Sequence, residues 1–238
     1  MSVSSLLPFI SNDQIFILAF FLAVTPALFW LWFWLREDSE HPEPWPLIAI
    51  SFLSGMAVIP LVIPLQQLAQ EMHAGSELIL AWVIIEEAAK YLVALLVVLW
   101  NSAVDEPLDM VMYMIFVALG FAAFENALYA YQPLTMGAFQ ETLISGSMRF
   151  VGATLLHVLA SASVGVFMAY AFYKSSTVKL LYGLLGLLVS IILHAAFNFA
   201  IMFGGGDAVL LTFLFVWLGV IVLFIVLEKV KKITPRNS

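Results

Sequence analysis

Ionisable and amide side chains lie inside the long apolar runs of this 238-residue sequence. Such groups can hydrolyse an acyl bond in two ways. A glutamate can act as general base for water while histidine and asparagine stabilise the oxyanion, or glutamate and histidine can bind a zinc ion that lowers the pKa of its water. The residues concerned are Glu86, Glu87, Lys90, Glu125, Asn126, His157, His194 and Asn198, with Arg149 at the start of the run that holds His157.

The composition indicates the environment of these groups. The chain is 63% hydrophobic and 11% charged, with a mean hydropathy of +1.05, whereas soluble domains are about 45–50% apolar and about 25% charged. These values exclude an ordinary globular protein and a disordered chain. The net charge of −7 argues against nucleic acid as a partner, and the absence of cysteine excludes disulfide and thiol chemistry.

The apolar runs predict transmembrane helices, since about 20 apolar residues cross a bilayer core. We expect an all-α, polytopic integral membrane helical bundle of about seven transmembrane helices, which forms a single transmembrane domain over residues 1–238. The first run is too long for a signal peptide, and no basic residue precedes it. The predicted spans are about 14–35, 46–69, 77–100, 108–131, 149–173, 179–203 and 207–227, with a short surface helix between residues 131 and 147.

The basic residues predict the orientation of the spans. On the face that holds the N-terminus, the loops carry only Arg149. Because cytoplasmic loops are enriched in lysine and arginine, we expect a multi-pass protein of the cell membrane with its N-terminus outside and its C-terminus in the cytoplasm. The basic residues of the opposite face are Arg36, Lys174, Lys179, Lys229, Lys231, Lys232 and Arg236.

The depth of the polar residues indicates a single site. A charge that faces lipid at mid-bilayer costs about 2.5–3.5 kcal/mol, so these residues must face one another or a wet cavity. Lys90 follows Glu86 by four residues and Glu87 by three, and it is therefore expected to neutralise one of them. Counted from the outer ends of their spans, four residues lie about 9–14 Å deep: Glu86, Glu125, His157 and His194.

Small residues share a helix face with one of the histidines. In the sixth predicted span, Gly186, Ser190, His194 and Asn198 follow one another at intervals of four, which keeps them near one face. Small residues let membrane helices approach closely. No serine lies in a nucleophile elbow and no H-E-x-x-H zinc signature occurs, so serine and site-2-type proteolysis fit poorly.

The ordered motifs resemble those of the PrsW family of intramembrane proteases. They are E-E-x-x-K at 86–90, G-F-A-A-F-E-N at 120–126, Arg149, His157 and H-A-A-F-N at 194–198, and the H-P-E-P-W segment at 41–45 is similar to an acidic segment of that family. The family is distantly similar to the prenyl-protein (CAAX) endopeptidases, which carry F-x-x-x-H. Here Glu125 replaces that histidine, and the basic residue follows the glutamate pair one position sooner.

The resemblance implies cleavage of a membrane-anchored, anti-sigma-factor-like protein near the outer membrane interface, so the expected partners are a single-span membrane protein and the lipid bilayer. It assigns Glu86 as general base, although the order of Glu86 and Glu87 could be reversed. The glutamic or metallo type stays open.

For the other residues we hypothesise roles from their chemistry. Glu87 is expected to pair with Lys90 or to act as a second acid. The remaining hypotheses are polarisation of water or carbonyl (His157), oxyanion donation (His194, Asn198), orientation of a histidine or metal binding (Glu125), headgroup anchoring or substrate binding (Arg149), support (Lys90, Asn126) and zinc ligation (Glu86, His157, His194).

Two other functions are consistent with the same residues. Buried glutamate and histidine chains serve as proton relays in transporters, and stripes of small residues suit a catalytically inactive scaffold that binds other membrane helices. The polar residues stay in one layer and no inverted repeat occurs, which argues against a transporter. The complete set of glutamate, histidine and asparagine argues against an inactive scaffold.

Overall fold

A computed structural model describes residues 11–37 and 41–235, apart from the side chain of Asp207. Residues 38–40 of the first predicted loop and Arg236 of the basic tail lie outside this range. Over the described residues the chain is helical and contains no strand. The helices are α1 (Asn12–Glu37), α2 (Trp45–Ala57), α3 (Ile59–Met72), α4 (Gly75–Val97), α5 (Pro107–Thr135), α6 (Phe139–Met148), α7 (Thr154–Tyr170), α8 (Ser176–Phe203) and α9 (Gly205–Val230), with a π-helical segment (Arg149–Ala153) between α6 and α7.

Helix α5 forms the centre of the bundle. From Leu108 to Ala123 every residue is buried, as expected for a helix that is apolar all round. Helices α1 and α2 pack against α5, and so does α7, which also contacts α8 and α9. Helix α4 lies against α3 and α8. The polar residues of α4, α5, α7 and α8 are thereby turned inward rather than toward lipid.

Two glycines allow α2 and α5 to cross with their backbones in contact. A Cβ atom on Gly120 would lie 1.8 Å from the carbonyl oxygen of Phe52, and one on Gly55 would lie 2.0 Å from that of Val117. Close approach at small residues is a common way for membrane helices to associate. This contact holds α2 against the segment of α5 that leads to Glu125.

Six of the described helical stretches are long and apolar enough to cross a membrane. They match six of the seven predicted spans and confirm an all-α polytopic membrane bundle. The remaining predicted span is α4, whose 23 residues give about 34 Å of helix, enough for a hydrocarbon core of about 30 Å. Helix α4 is not among the six apolar stretches because it carries four charged residues, Glu77, Glu86, Glu87 and Lys90. A seventh span thus stays a prediction.

The second predicted span is continuous in the sequence but broken in the structure. Helix α2 ends at Ala57 and α3 begins at Ile59. Pro60 lacks the N–H that would bond to Met56, and its ring clashes with that carbonyl group. The second half of this span is therefore a separate helix, α3, which the apolar pattern alone did not show.

The predicted short surface helix corresponds to α6 (Phe139–Met148), in which Thr142 is the buried residue, but this helix is not separate from the fifth span. Helix α6, the π-helical segment and α7 form one continuous helical stretch, Phe139–Tyr170, of 32 residues. The π-helical segment accommodates one extra residue within the helix instead of ending it, and such segments often occur at functional sites. Its first residue is Arg149.

We expect Gly120→Ala to destabilise the protein, because the new methyl group would overlap the Phe52 carbonyl and separate α2 from α5. Overpacking of this kind costs about 1–3 kcal/mol. The measurement is thermal unfolding in detergent. Gly146→Ala is the matched control, since nothing lies within 4 Å of its new Cβ atom, and equal midpoints for the two variants would contradict the expectation.

Candidate active site

Eight of the nine polar side chains that the sequence singled out form one cluster in the bundle. Four helices and the π-helical segment contribute them, and the members on α4, α7 and α8 are buried. The depth argument predicted this grouping for residues from separate spans. The cluster contains Glu86, Glu87, Lys90, Glu125, Asn126, Arg149, His157 and His194.

Glu87 lies at the centre of the cluster and is fully engaged. Lys90 Nζ and His194 Nδ1 both contact its Oε1, the histidine at 2.7 Å. Ser190 Oγ donates to its Oε2 at 2.5 Å. Lys90 is therefore paired with Glu87 rather than with Glu86, and Glu87 joins α4 to α8. Neither of its oxygens is left to act on a water molecule.

Glu86 is only half engaged. Its Oε1 accepts a hydrogen bond from Gln66 Nε2 at 2.8 Å. Its Oε2 is buried and has no hydrogen-bond partner among the described residues. That oxygen lies 3.8 Å from His194 Nε2. A buried carboxylate oxygen is normally paired, so Oε2 is the oxygen of Glu86 that is available to a further group.

His194 is oriented by Glu87. A carboxylate only accepts hydrogen bonds, so the Nδ1 atom next to Glu87 carries the hydrogen. In a neutral imidazole the other nitrogen, Nε2, then has a free lone pair. This lone pair is on the side of the ring that faces Glu86.

His157 is held between two charged groups. Its Nδ1 lies 3.0 Å from Lys90 Nζ, and its Nε2 lies 3.0 Å from Glu125 Oε2. An ammonium group only donates, so Nδ1 accepts and Nε2 donates to Glu125. The His157 and His194 rings are perpendicular, with centroids 5.0 Å apart.

Arg149 contacts polar residues toward the end of α5. Its Nη2 donates to Glu125 Oε2 and its Nε donates to Asn126 Oδ1, each at 2.5 Å, while its guanidinium stacks on Tyr129. Asn126 also donates to Thr154 at 3.1 Å. These contacts favour a third role for Arg149, which is to hold Glu125 against His157.

Asn198 stays apart from this network. It lies one turn beyond His194 on α8 and is half-buried, and no hydrogen bond joins its side chain to the described site residues. Its role as oxyanion donor remains a prediction.

Sequence reasoning missed Gln66 and underrated Ser190. Ser190 was noted only as a small residue on the face of His194, but its hydroxyl group donates to Glu87. Gln66 lies in an apolar run without ionisable residues. The one feature of the sequence that could have indicated it is the polar pair Gln66–Gln67.

The charges of the cluster favour a cation near Glu86. Its three carboxylates face two cations, Lys90 and Arg149, and the carboxylate without a cationic partner within ion-pair distance is Glu86. In a buried environment an unpaired negative charge is costly. A bound cation at the free oxygen of Glu86 would offset it.

The donor atoms at this position fit a metal ion. Ligand atoms of Glu86, His157 and His194 all lie within 4.8 Å of one another. A tetrahedral zinc ion with bonds of about 2.0–2.1 Å separates its donors by about 3.3 Å, near the 3.8 Å between Glu86 and His194. His194 also has the carboxylate partner typical of metal-bound histidines. Binding through His157 Nε2 requires its hydrogen bond to Glu125 to open.

Comparison with known proteins identifies the family. The sequence model of the family described as PrsW family intramembrane metalloprotease matches residues 43–227, which include every residue of the cluster. The chain belongs to the PrsW family. It is therefore a multi-pass membrane protein and an intramembrane endopeptidase that acts on a protein in the membrane, as the resemblance implied.

Curated relatives agree with this membership. The chain is 29% identical over 222 residues to Protease PrsW of Clostridioides difficile (strain 630), an alignment that covers 90% of each chain. It is 24% identical over 180 residues to Protease PrsW of Bacillus subtilis (strain 168), which covers 74% of this chain and 79% of that one. No solved structure gives a significant match.

We expect Glu87 and Lys90 to be strongly coupled in stability. Removing one partner of a buried ion pair costs about 3–5 kcal/mol, because the other charge is left unpaired. Glu87→Gln and Lys90→Met should each destabilise the protein, and the double variant should lose clearly less than the sum. The measurement is a double-mutant cycle of the free energy of unfolding in mixed micelles.

The exposed pair of Lys231 and Glu37, at 2.6 Å, is the matched control for this cycle. Pairs of this kind contribute about 0–1 kcal/mol. A coupling for Glu87 and Lys90 no larger than that of the control pair would contradict the central role of Glu87.

Proposed function

We propose that this PrsW-family chain hydrolyses a peptide bond of a single-span, anti-sigma-factor-like membrane protein near the outer membrane interface, with a water molecule activated at Glu86. The observation that carries the proposal is the free Oε2 of Glu86, buried and 3.8 Å from the lone pair of His194. A water molecule that bridges these two atoms would donate one hydrogen to each, with Glu86 as the acceptor of the proton that the water loses.

The position of His194 and the exposure of three other site residues support cleavage near one interface. His194 lies nine residues before the end of α8, about 13 Å along the helix, whereas Glu86 lies midway along α4. Arg149, Glu125 and Asn126 are the partly exposed members of the cluster, on the side from which water would enter in this scheme. The excess of basic residues on the opposite face favours the outer half for this side.

Each neighbour of Glu86 has a distinct task in this scheme. Glu87 holds His194 so that Nε2 faces the reacting water, and Lys90 neutralises Glu87 and supports His157. Glu125 orients His157. Asn198, on the next turn of α8, would donate to the oxyanion, and His194 would join it once Nε2 has taken up a proton. His157 would polarise the substrate carbonyl through Nε2 after its hydrogen bond to Glu125 opens. Preorganised donors of this kind lower the barrier most when water is otherwise excluded.

The same residues can hold a metal ion. Glu86, His157 and His194 would be its ligands, and a bound zinc ion would lower the pKa of a water molecule to about 7 and polarise a carbonyl group. Glu86 accepts the proton of the water in the metal-free scheme, whereas it is a ligand in the other. Both schemes need its free oxygen, and they differ in their response to chelators.

We expect Glu86→Gln to abolish cleavage and leave the fold intact. The amide cannot accept a proton from water, and it has no charge with which to bind a cation. The cleavage rate should therefore fall by about 10²–10⁴-fold. The measurement is cleavage of single-span membrane proteins with short outer tails in liposomes, with thermal unfolding in parallel. Glu71→Gln, an exposed carboxylate on α3, is the control. Full activity of a folded Glu86→Gln variant would disprove the proposal.

We expect the purified chain to bind one zinc ion, as measured by calorimetry. Loss of a residue that orients a metal ligand costs about 10- to 100-fold in affinity, so Glu87→Gln should weaken binding by that factor and His194→Ala by at least as much. His73→Ala, which changes an exposed histidine, should leave the affinity unchanged. If no zinc binds and chelators leave cleavage unchanged, only the metal-free scheme remains.

A further inference from the structure

Helix α3 is attached to the bundle differently from the other helices of the site. It begins after the break at Val58 and packs mainly against α4. Its opposite face exposes Leu61, Leu65 and Leu68. A half-helix with one packed face and a proline break at its start is held by fewer contacts than α4, α5, α7 or α8.

Gln66 ties α3 to α4 through two hydrogen bonds. Its side-chain Nε2 donates to Glu86 Oε1 at 2.8 Å. Its main-chain carbonyl oxygen accepts from Trp82 Nε1 at 3.0 Å. Trp82 and Glu86 are four residues apart and therefore lie on one face of α4. The hydrogen bond from Trp82 fixes the backbone of Gln66 at the position along α4 from which the Gln66 side-chain amide reaches Glu86.

The orientation of the Glu86 carboxylate depends on this amide. Rotation about the last side-chain bond of a glutamate is broad and roughly two-fold, so packing alone fixes the plane of the carboxylate poorly. Among the described residues, Gln66 is the one hydrogen-bond donor to Glu86. With Oε1 held by Gln66, Oε2 is the oxygen that faces His194.

We propose that Gln66 is a positioning residue for the hydrolysis. It fixes the Glu86 carboxylate with Oε2 toward His194, and it does so only while α3 lies against α4. The inference rests on the proposed role of Glu86. It adds that the orientation of the reacting carboxylate is controlled by a residue on the least anchored helix of the site.

The chain provides a matched control for Gln66. The next residue, Gln67, has the same side chain on the same helix but is exposed. Gln66→Leu and Gln67→Leu therefore make the same chemical change with and without loss of the Glu86 contact. Gln66→Glu keeps the size of the side chain but replaces the donor by a carboxylate beside Glu86. Trp82→Phe removes the donor to the Gln66 carbonyl.

The experiment measures kcat and KM for a cleaved membrane substrate, zinc affinity and thermal unfolding for these variants in liposomes or detergent. Loss of a residue that orients an active-site group costs about 10- to 100-fold in activity or metal affinity. We expect Gln66→Leu to lower kcat by this factor with KM within about 3-fold of the wild-type value, and Gln66→Glu to lower kcat at least as far. Trp82→Phe should lower kcat less, and Gln67→Leu should be unchanged.

Two results would overturn the inference. One is a kcat for Gln66→Leu equal to that of Gln67→Leu, and the other is an increase in KM with kcat unchanged, which would make Gln66 a substrate contact. Gln66→Leu could unfold at a lower temperature than Gln67→Leu. In that case the kcat values of Gln66→Glu and Trp82→Phe, measured at temperatures where all variants are folded, decide the question. Glu86→Gln separates the two proposals: if it stays active the proposed function fails, whereas an inactive Glu86→Gln with a normal Gln66→Leu refutes the positioning role alone.

Discussion

The pairing of Glu87 with Lys90, Ser190 and His194 is the interaction on which the site depends. A carboxylate with no access to water must be compensated by protein groups, and here the compensating groups come from its own helix and from α8. The arrangement fixes the rotation of α4 relative to α8. It also continues through Lys90 to His157 on α7, so one buried charge connects three helices and both histidines.

The same pairing explains why two adjacent glutamates have different environments. Neighbouring residues on a helix point about 100° apart. With Glu87 directed at α8, Glu86 is turned toward α3, where it meets one amide and no cation within ion-pair distance. The carboxylate with a free oxygen is thus next to the carboxylate that is fully paired. A single glutamate could not be both, since full pairing would leave no free oxygen.

The sequence predicted much of this arrangement and missed specific parts for physical reasons. Apolar runs predicted six helical stretches of the bundle, and depth predicted the grouping of Glu86, Glu125, His157 and His194. Apolar runs and depth do not determine the rotation of each helix about its own axis. They therefore left open the partner of Arg149 and the choice between the adjacent glutamates. The break at Val58 and the π-helical segment are local departures from helical periodicity, and an amide such as Gln66 carries no signal in a count of charges.

An intramembrane protease must admit a substrate helix and water to a site that is otherwise sealed. In this bundle most helices of the site are held firmly together, and one is held more weakly. Helices α4, α5, α7 and α8 are joined by hydrogen bonds to charged side chains of the cluster, which resist movement because opening them leaves charge unpaired in an apolar environment. Helix α3 contributes one neutral amide to the same site. A hydrogen bond from a neutral amide to a carboxylate contributes about 1.5–3 kcal/mol net, less than the cost of about 3–5 kcal/mol for breaking a buried ion pair. If a helix of this site moves during turnover, α3 is the one that moves at the lowest cost, and its movement releases Glu86 while leaving the histidines in place.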